Sequence, residues 1–420
     1  METSPPPTSF SDLEATINKW LLLNDLGIIK VLAATVLANR LKADPVWLFI
    51  VTASGGTKTE LLRGLNTVPD IYPISDLTPQ TFLSGEKSNK KASLLHRLPT
   101  EVIITMKDFT TVLTMHRDKR HAILSQLREI YDGQVRKEFG TGETKDWSGK
   151  IGFIAGVTSV IDHHYGVYQT LGERFIQYRP TQPDPIRLSL RALGNNGNEN
   201  AMREEIQSAF ANYIASVEIP VEPMDVSDEL KRRIANLAAF CVTARSGIIR
   251  DGYSREIELV PEVELPTRLA KQFITLYCGL ALISGEFTEA DYCLIYKIAM
   301  DTIPRNRRVT IEHLVRADEP LETAGVAEAI HYPVNTTRRI LEELHALSLV
   351  DRKPQGGSLS DLWSLRPKAR GLLAEAQPNQ MELVNQVFFD GKGIPEMSVA
   401  NQEEIPMFEA PSKAITNERS

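Results

Sequence analysis

The residues best suited to do chemistry are Gly55, Gly56, Thr57, Lys58 and Thr59, placed between an apolar run at 45–52 and a helically spaced stretch at 60–65. Strand, glycine turn, Lys-Thr and helix follow one another in the order of a phosphate-binding loop. Glycine lets the backbone curl so that N–H groups point at phosphate oxygens, and the helix start adds a positive dipole end. In such a loop Lys58 is a solvated charge that reaches the β- and γ-phosphates, and the Thr59 hydroxyl holds Mg²⁺. The spacing departs from G-x-x-x-x-G-K-[ST]: Thr52 and Thr57 stand at the two glycine positions, and the glycines fall one step early. A β-branched Thr57 is stiff, so the loop must reach its shape differently or bind more weakly. A plain strand-to-helix turn that contains glycines is the competing explanation.

Asp108 is the next candidate, at the exit of the apolar run 102–106. A carboxylate at the carboxyl end of a buried strand is where Mg²⁺ is held through water in an α/β nucleotide fold; a merely solvated aspartate is the alternative. Phe109 follows it in place of the glutamate that often activates water, so no general base is assigned. Thr158 closes a further buried run at 151–157, and Arg174 precedes one at 175–178. Metal and disulfide chemistry have little support. Cys241, Cys278 and Cys293 form no C-x-x-C pair, and the adjacent His163 and His164 diverge in direction on a helix or a strand.

Basic residues group in three places. Lys87, Lys90 and Lys91 lie in a polar stretch that reads as a solvated loop. Arg136, Lys137 and Lys145 lie on a β-hairpin spanning 134–150, turned at Gly140-Thr141-Gly142 and bearing Trp147, which either meets a nucleic-acid base or packs inward. Arg338 and Arg339 lie on the first exposed turn of a helix that Asn335 would cap, and Arg352 and Lys353 belong to a two-stranded stretch over 347–365. Glu342, Glu343 and Asp361 offset these arginines, so no strongly basic face is assured.

The elements that must position these groups follow from apolar spacing. Residues 1–9 are Pro/Ser/Thr-rich and read as disordered; 10–44 read as two helices; 45–180 alternate strands and helices. Residues 181–200 read as a Pro- and Asn/Gly-rich linker, 201–303 as helices, 304–375 as short helices followed by a two-stranded wing, and 376–420 as a partly ordered tail. The chain has 420 residues, enough for two or three domains, and a net charge of −7, which excludes a protein coated in basic surface. No signal peptide or membrane span is expected, which points to a reducing cytoplasm.

In this order the motifs resemble an AAA+ ATPase of the group that places a β-hairpin before the sensor-1 strand, which includes the minichromosome maintenance and superfamily III helicases. The resemblance spans about 45–373. It implies an α/β fold: a P-loop NTPase core with a parallel sheet, a helical lid and a C-terminal winged helix-turn-helix. It further implies ATP and Mg²⁺ as cofactors, Thr158 as sensor 1, and Arg174 as an arginine finger completing a neighbour's site in a homo-oligomeric ring. Arg268, in 266–272, falls on the sensor-2 helix and would reach the γ-phosphate in cis. DNA is the implied partner, as duplex at the winged helix and as a single strand at the hairpin. The implied function is a DNA-directed motor in replication or processing, by analogy on a mobile element. A nucleotide-controlled DNA-binding regulator with little hydrolysis is the alternative, and a scaffold with an inactive loop is a third.

Overall fold

The computed structural model describes residues 9–55, 57–86, 92–140, 142–163, 174–356 and 360–379. Gly56, Lys87, Lys90, Lys91, Thr141, His164 and the side chain of His163 lie outside the described residues, as do 1–8 and 380–420.

Five short apolar runs become the strands of one parallel sheet. These are β1 (Trp47–Val51), β2 (Ile71–Ile74), β3 (Glu101–Met106), β6 (Lys150–Val157) and β7 (Phe175–Tyr178), in the order β2-β3-β6-β1-β7. The expected hairpin supplies the two strands between, β4 (Gln134–Glu138) and β5 (Thr144–Ser148), which form a separate antiparallel pair. Every residue of β1 is buried, because both faces of the sheet are covered. Strand alternation sends Trp47, Phe49 and Val51 to one face and Leu48 and Ile50 to the other. On the first face Phe49 stacks on Phe175 with ring centroids 3.8 Å apart, and Trp47, Phe109 and Phe153 complete the cluster.

Helices α1 (Phe10–Trp20) and α2 (Gly27–Arg40) precede the sheet. Ser9 and Asp12 close a capping box on α1, and α2 is buried nearly all round. The loop after β1 leads into α3 (Lys58–Gly64), and β3 is followed by α4 (Thr110–Leu113) and α5 (Arg117–Tyr131). The four-residue α6 (Val160–His163) follows β6.

The stretch expected to be a linker contains a helix, α7 (Pro185–Gly194), capped by the Asp184 side chain with Pro185 in its first turn. Asp-Pro before apolar residues at helical spacing is a helix-start signal that the Asn/Gly content outweighed in the sequence reading. Three further helices follow: α8 (Glu199–Ser216), α9 (Asp228–Ala244) and α10 (Thr267–Ser284). Between the last two sits an unforeseen hairpin, β8 (Ile249–Arg250) with β9 (Ile257–Leu259). Helix α10 lies so close to α2 that a Cβ on Gly279 would stand 2.3 Å from the Ala34 carbonyl oxygen.

Helix α11 (Glu289–Thr302), capped by Thr288, covers the edge strand β7. The outward N–H groups of that edge find side chains rather than another strand: Gln177 donates to Thr302 Oγ1 at 2.9 Å, and Arg179 to the Asp301 carboxylate at 2.8 Å. On the opposite edge, β2 carries Pro73, which has no N–H to offer.

The chain ends in α12 (Arg305–Arg316), β10 (Leu321–Glu322), α13 (Thr323–Ile330), α14 (Val334–Ala346), β11 (Val350–Lys353), β12 (Leu362–Leu365) and α15 (Pro367–Ala376). The expected two strands are three, in the order β10-β12-β11. Asn335 does not cap α14: Pro333 stands at that position and Asn335 is inside the first turn. One continuous apolar core runs from α1 and α2 through α8–α11 to Trp363 and Leu365 of this C-terminal module.

Candidate phosphate-binding site and basic surfaces

The carboxyl ends of β1, β3 and β6 bring three of the candidate residues together. Thr52 N–H donates to the Val157 carbonyl at 3.1 Å, and Phe109 N–H to the Gly156 carbonyl at 2.7 Å, which locks the three strand exits into one edge. The chain after β1 turns at Gly55, whose φ of +81° is one that L side chains rarely adopt. Thr57 has φ −66° and ψ −6°, ordinary helical values, so the stiffness of a β-branched side chain costs nothing there. Thr59 lies in the first turn of α3, partly exposed.

Lys58 is not the solvated charge expected from sequence. It is 5% exposed, its stem crosses Gly156, and Nζ donates to the Ala53 carbonyl at 3.3 Å. Gly156 makes the crossing possible, since a Cβ there would meet Lys58 Cδ at 3.0 Å and the Lys107 carbonyl at 2.5 Å. Burial holds the ammonium below its ordinary pKa, and the negative charge of Asp108 partly offsets that.

Asp108 is exposed and accepts a hydrogen bond from Thr110 N–H at 2.9 Å. Thr158 meets a residue the sequence did not single out: Thr110 Oγ1 accepts from Thr158 N–H at 3.0 Å and lies 3.3 Å from Thr158 Oγ1. Phe109 is fully buried, its ring centroid 5.0 Å from that of Phe49. The side chain after Asp108 therefore points into the core, and a glutamate in the same pose could not face a ligand.

Among the described residues no group of three His, Cys, Asp or Glu is arranged to hold a metal. A Mg²⁺ bound mainly by phosphate oxygens and water needs only one or two protein oxygens, and Asp108 and Thr59 are of the right chemistry for that. No helix among the described residues is long and apolar enough to cross a membrane.

Arg174 and Arg268 are brought to each other, at the opposite end of the sheet. Arg174 immediately precedes β7, is 6% exposed, pairs with Asp132 at 3.4 Å and lies over the Tyr131 ring. Burial first, and then the nearby Arg268, push its guanidinium below the ordinary value. Helix α10 aligns its first turns with the start of β1: Gln272 Oε1 accepts from Trp47 N–H at 3.3 Å, and Lys271 pairs with Asp44 at 2.9 Å. Arg268, held by Glu264 at 2.7 Å, is thus separated from Lys58 by the length of β1, roughly 15 Å. This corrects the expected cis contact with a phosphate bound at Lys58.

The hairpin residues do not form one basic patch. Arg136 and Lys137 are adjacent on a strand and project from opposite faces. Arg136 sits between Glu138 at 3.4 Å and Asp146 at 3.8 Å. On the other face Lys137 and Lys145 are directly opposed; Lys137 lies over Phe139, and Lys145 donates to Ser93 Oγ at 3.4 Å. Trp147 packs into the core beside Val135, which settles its two readings in favour of the structural one.

In the C-terminal module Arg338, Arg339 and Lys353 are exposed. Arg352 is occupied, paired with Asp361 at 2.7 Å and lying over Trp363. Comparison against protein-family models finds no match, and neither does comparison against curated protein sequences. The five-stranded parallel sheet and its strand order are compatible with a P-loop nucleotide-binding fold.

Proposed function

We propose that the chain is an ATP-binding, DNA-directed ATPase of the AAA+ type with a C-terminal winged helix. The observation that carries this reading is the convergence of Lys58, Asp108 and Thr158 on the carboxyl edge of adjacent parallel strands. With the β4–β5 hairpin set aside, the strands run 2-3-4-1-5. The path reverses beside β1, where α/β sheets bind their ligands. The hairpin stands immediately before the fourth core strand, as the resemblance requires.

In this reading ATP phosphates lie over the loop at 52–59. Lys58 would exchange the Ala53 carbonyl for phosphate oxygen, and the buried stem restricts where its charge travels. Thr59 and Asp108 would hold Mg²⁺, which supplies Lewis-acid charge to the phosphates. Thr158, oriented by Thr110, would meet the γ-phosphate end. Arg174 would serve a neighbouring subunit in a ring, after leaving Asp132. The module from α12 to α15 would hold duplex DNA, and the hairpin a single strand.

A second reading is favoured by Phe109 and by the shared core of α2 and α10: a nucleotide-controlled DNA-binding regulator with little hydrolysis. Titration calorimetry with ATP, and turnover with and without single-stranded and duplex DNA, separate the two. Lys58→Met, which removes the charge and keeps the buried stem across Gly156, should lower ATP affinity at least about tenfold, the loss of one charge-assisted contact of roughly 1.4 kcal/mol or more, while melting close to the wild type. Equal affinity in the two proteins removes the phosphate-loop reading. Binding without DNA-stimulated turnover selects the regulator.

A further inference from the structure

Glu342 and Glu343 share α14 with Arg338 and Arg339, and by sequence the charges cancel. In the fold they are divided between different partners. Arg250, at the end of β8, donates through Nε to Glu343 at 2.9 Å and through its terminal nitrogens to Glu342 at 3.3 Å. Its Nη2 also reaches the Arg339 carbonyl at 2.8 Å. Arg307 of α12 takes the second oxygen of Glu343 at 3.0 Å. Asp361 is taken by Arg352. Among the described residues, Arg255, Arg338 and Arg339 form no ion pair. Glu342, Glu343 and Asp361 neutralise the arginines that build this surface, and a second set of arginines is left over.

The same contacts tie the β8–β9 hairpin to the face of α14. Hairpin, helix and β11 enclose an open cleft of about 480 Å³, lined by Arg250, Arg255, Arg338, Arg339 and Arg352 with Asn335 at one end. Its acidic lining is Glu256 and the already paired Glu342. The hairpin turn is ordered: the Asp251 carboxylate accepts from Tyr253 N–H at 2.9 Å and Ser254 N–H at 2.6 Å, and Arg255 takes a left-handed φ of 62°. Tyr253 beside it is 98% exposed. The clamp from Arg250 falls at positions 339, 342 and 343, so the first turn of α14, with Asn335 and Arg338, stays uncovered.

We infer that the β8–β9 hairpin is a second arm of the DNA surface, and that the cleft between it and α14 receives the sugar-phosphate backbone of a duplex. This rests on the proposed DNA-binding role of the C-terminal module. Phosphates fit a cleft in which Arg255, Arg338 and Arg339 form no ion pair among the described residues and outnumber the one unpaired carboxylate, Glu256, while Asn335 and Arg338 are of the types that read purine edges in the major groove. Arg255 would lie on a phosphate and Tyr253 against the sugars beside it.

The test uses the full chain and anisotropy of a short labelled duplex across a salt series. Arg255→Gly keeps the left-handed turn and removes only the charge, because the Arg255 backbone makes the contacts to Asp251 and Arg250. It should weaken duplex binding about three- to tenfold and lower the salt slope by about one, and Arg255→Lys should retain the slope. Arg338→Ala with Arg339→Ala serves as the comparison. If that pair weakens binding while Arg255→Gly changes neither affinity nor slope, the hairpin arm is overturned and the DNA reading stands. If no variant differs from wild type, or the wild type binds no duplex, both are overturned. A loss in Arg255→Gly confined to single-stranded DNA also overturns the duplex assignment.

Discussion

Gly55 and Thr57 divide between them what one glycine would do in the usual loop. Gly55 takes the left-handed turn, and Thr57 only has to start a helix. Under the proposed function, Gly55→Ala should weaken ATP binding about fivefold or more, since the free loop can leave the left-handed turn while the bound loop must hold it against roughly 1–2 kcal/mol of strain. Thr57→Gly should leave the affinity within about threefold, read by the same calorimetric titration. Equal losses from both would mean that the loop changes shape around its ligand. Lys58 and Asp108 were legible because charge at a strand exit stands out against apolar runs. The burial of Lys58 was not legible, because it depends on a missing Cβ at Gly156, almost a hundred residues away in the sequence. Thr110 was equally hidden: a threonine two places after an aspartate has no signature until β6 lies alongside.

At the scale of elements, apolar periodicity predicted most of the helices and all five core strands, with ends shifted by a residue or several. What it missed were elements whose local composition argues against them. Helix α7 lies in a Pro- and Asn/Gly-rich stretch, and β8 and β9 are two and three residues long. The position of α10 was also illegible, since an arginine at a helix start says nothing about which end of a sheet it serves. Gly279 fixes that position through its approach to Ala34. Gly279→Ala should force α10 away from α2 and destabilise the protein by roughly 1–3 kcal/mol, the usual cost of overpacking. The readout is a lower denaturation midpoint at unchanged slope. An unchanged midpoint would mean that the two helices slide without penalty.

Over the whole molecule, the apolar core that runs from α1 and α2 into the C-terminal module has buried ions inside it. Arg179, just past β7, donates to both oxygens of Asp162 at 2.8 and 2.7 Å, and its Nε to the Asp301 carbonyl at 2.9 Å. The Asp301 carboxylate also holds Lys297 at 2.7 Å and pairs with Arg308 of the C-terminal module. Separating these groups would strand buried charge, typically at 3–5 kcal/mol per broken pair. Scanning calorimetry should therefore show a single transition that includes the C-terminal module, and a nucleotide that binds the native state should raise all of it together. Two resolved transitions would mean that the C-terminal module unfolds on its own. A rocking lid, if the ATPase reading holds, would have to move α10 and α2 as one body.

The side chains that close the β7 edge have a consequence for how the protein is made. Gln177 meets Thr302 across 125 positions of sequence. At about 5–20 residues per second, a ribosome needs roughly 6–25 s to deliver the second after the first. For that interval a nascent chain carries a nearly finished sheet with one bare edge, the form in which strands recruit strangers. Birth on the ribosome, more than life in the folded state, is therefore when this chain most needs a chaperone.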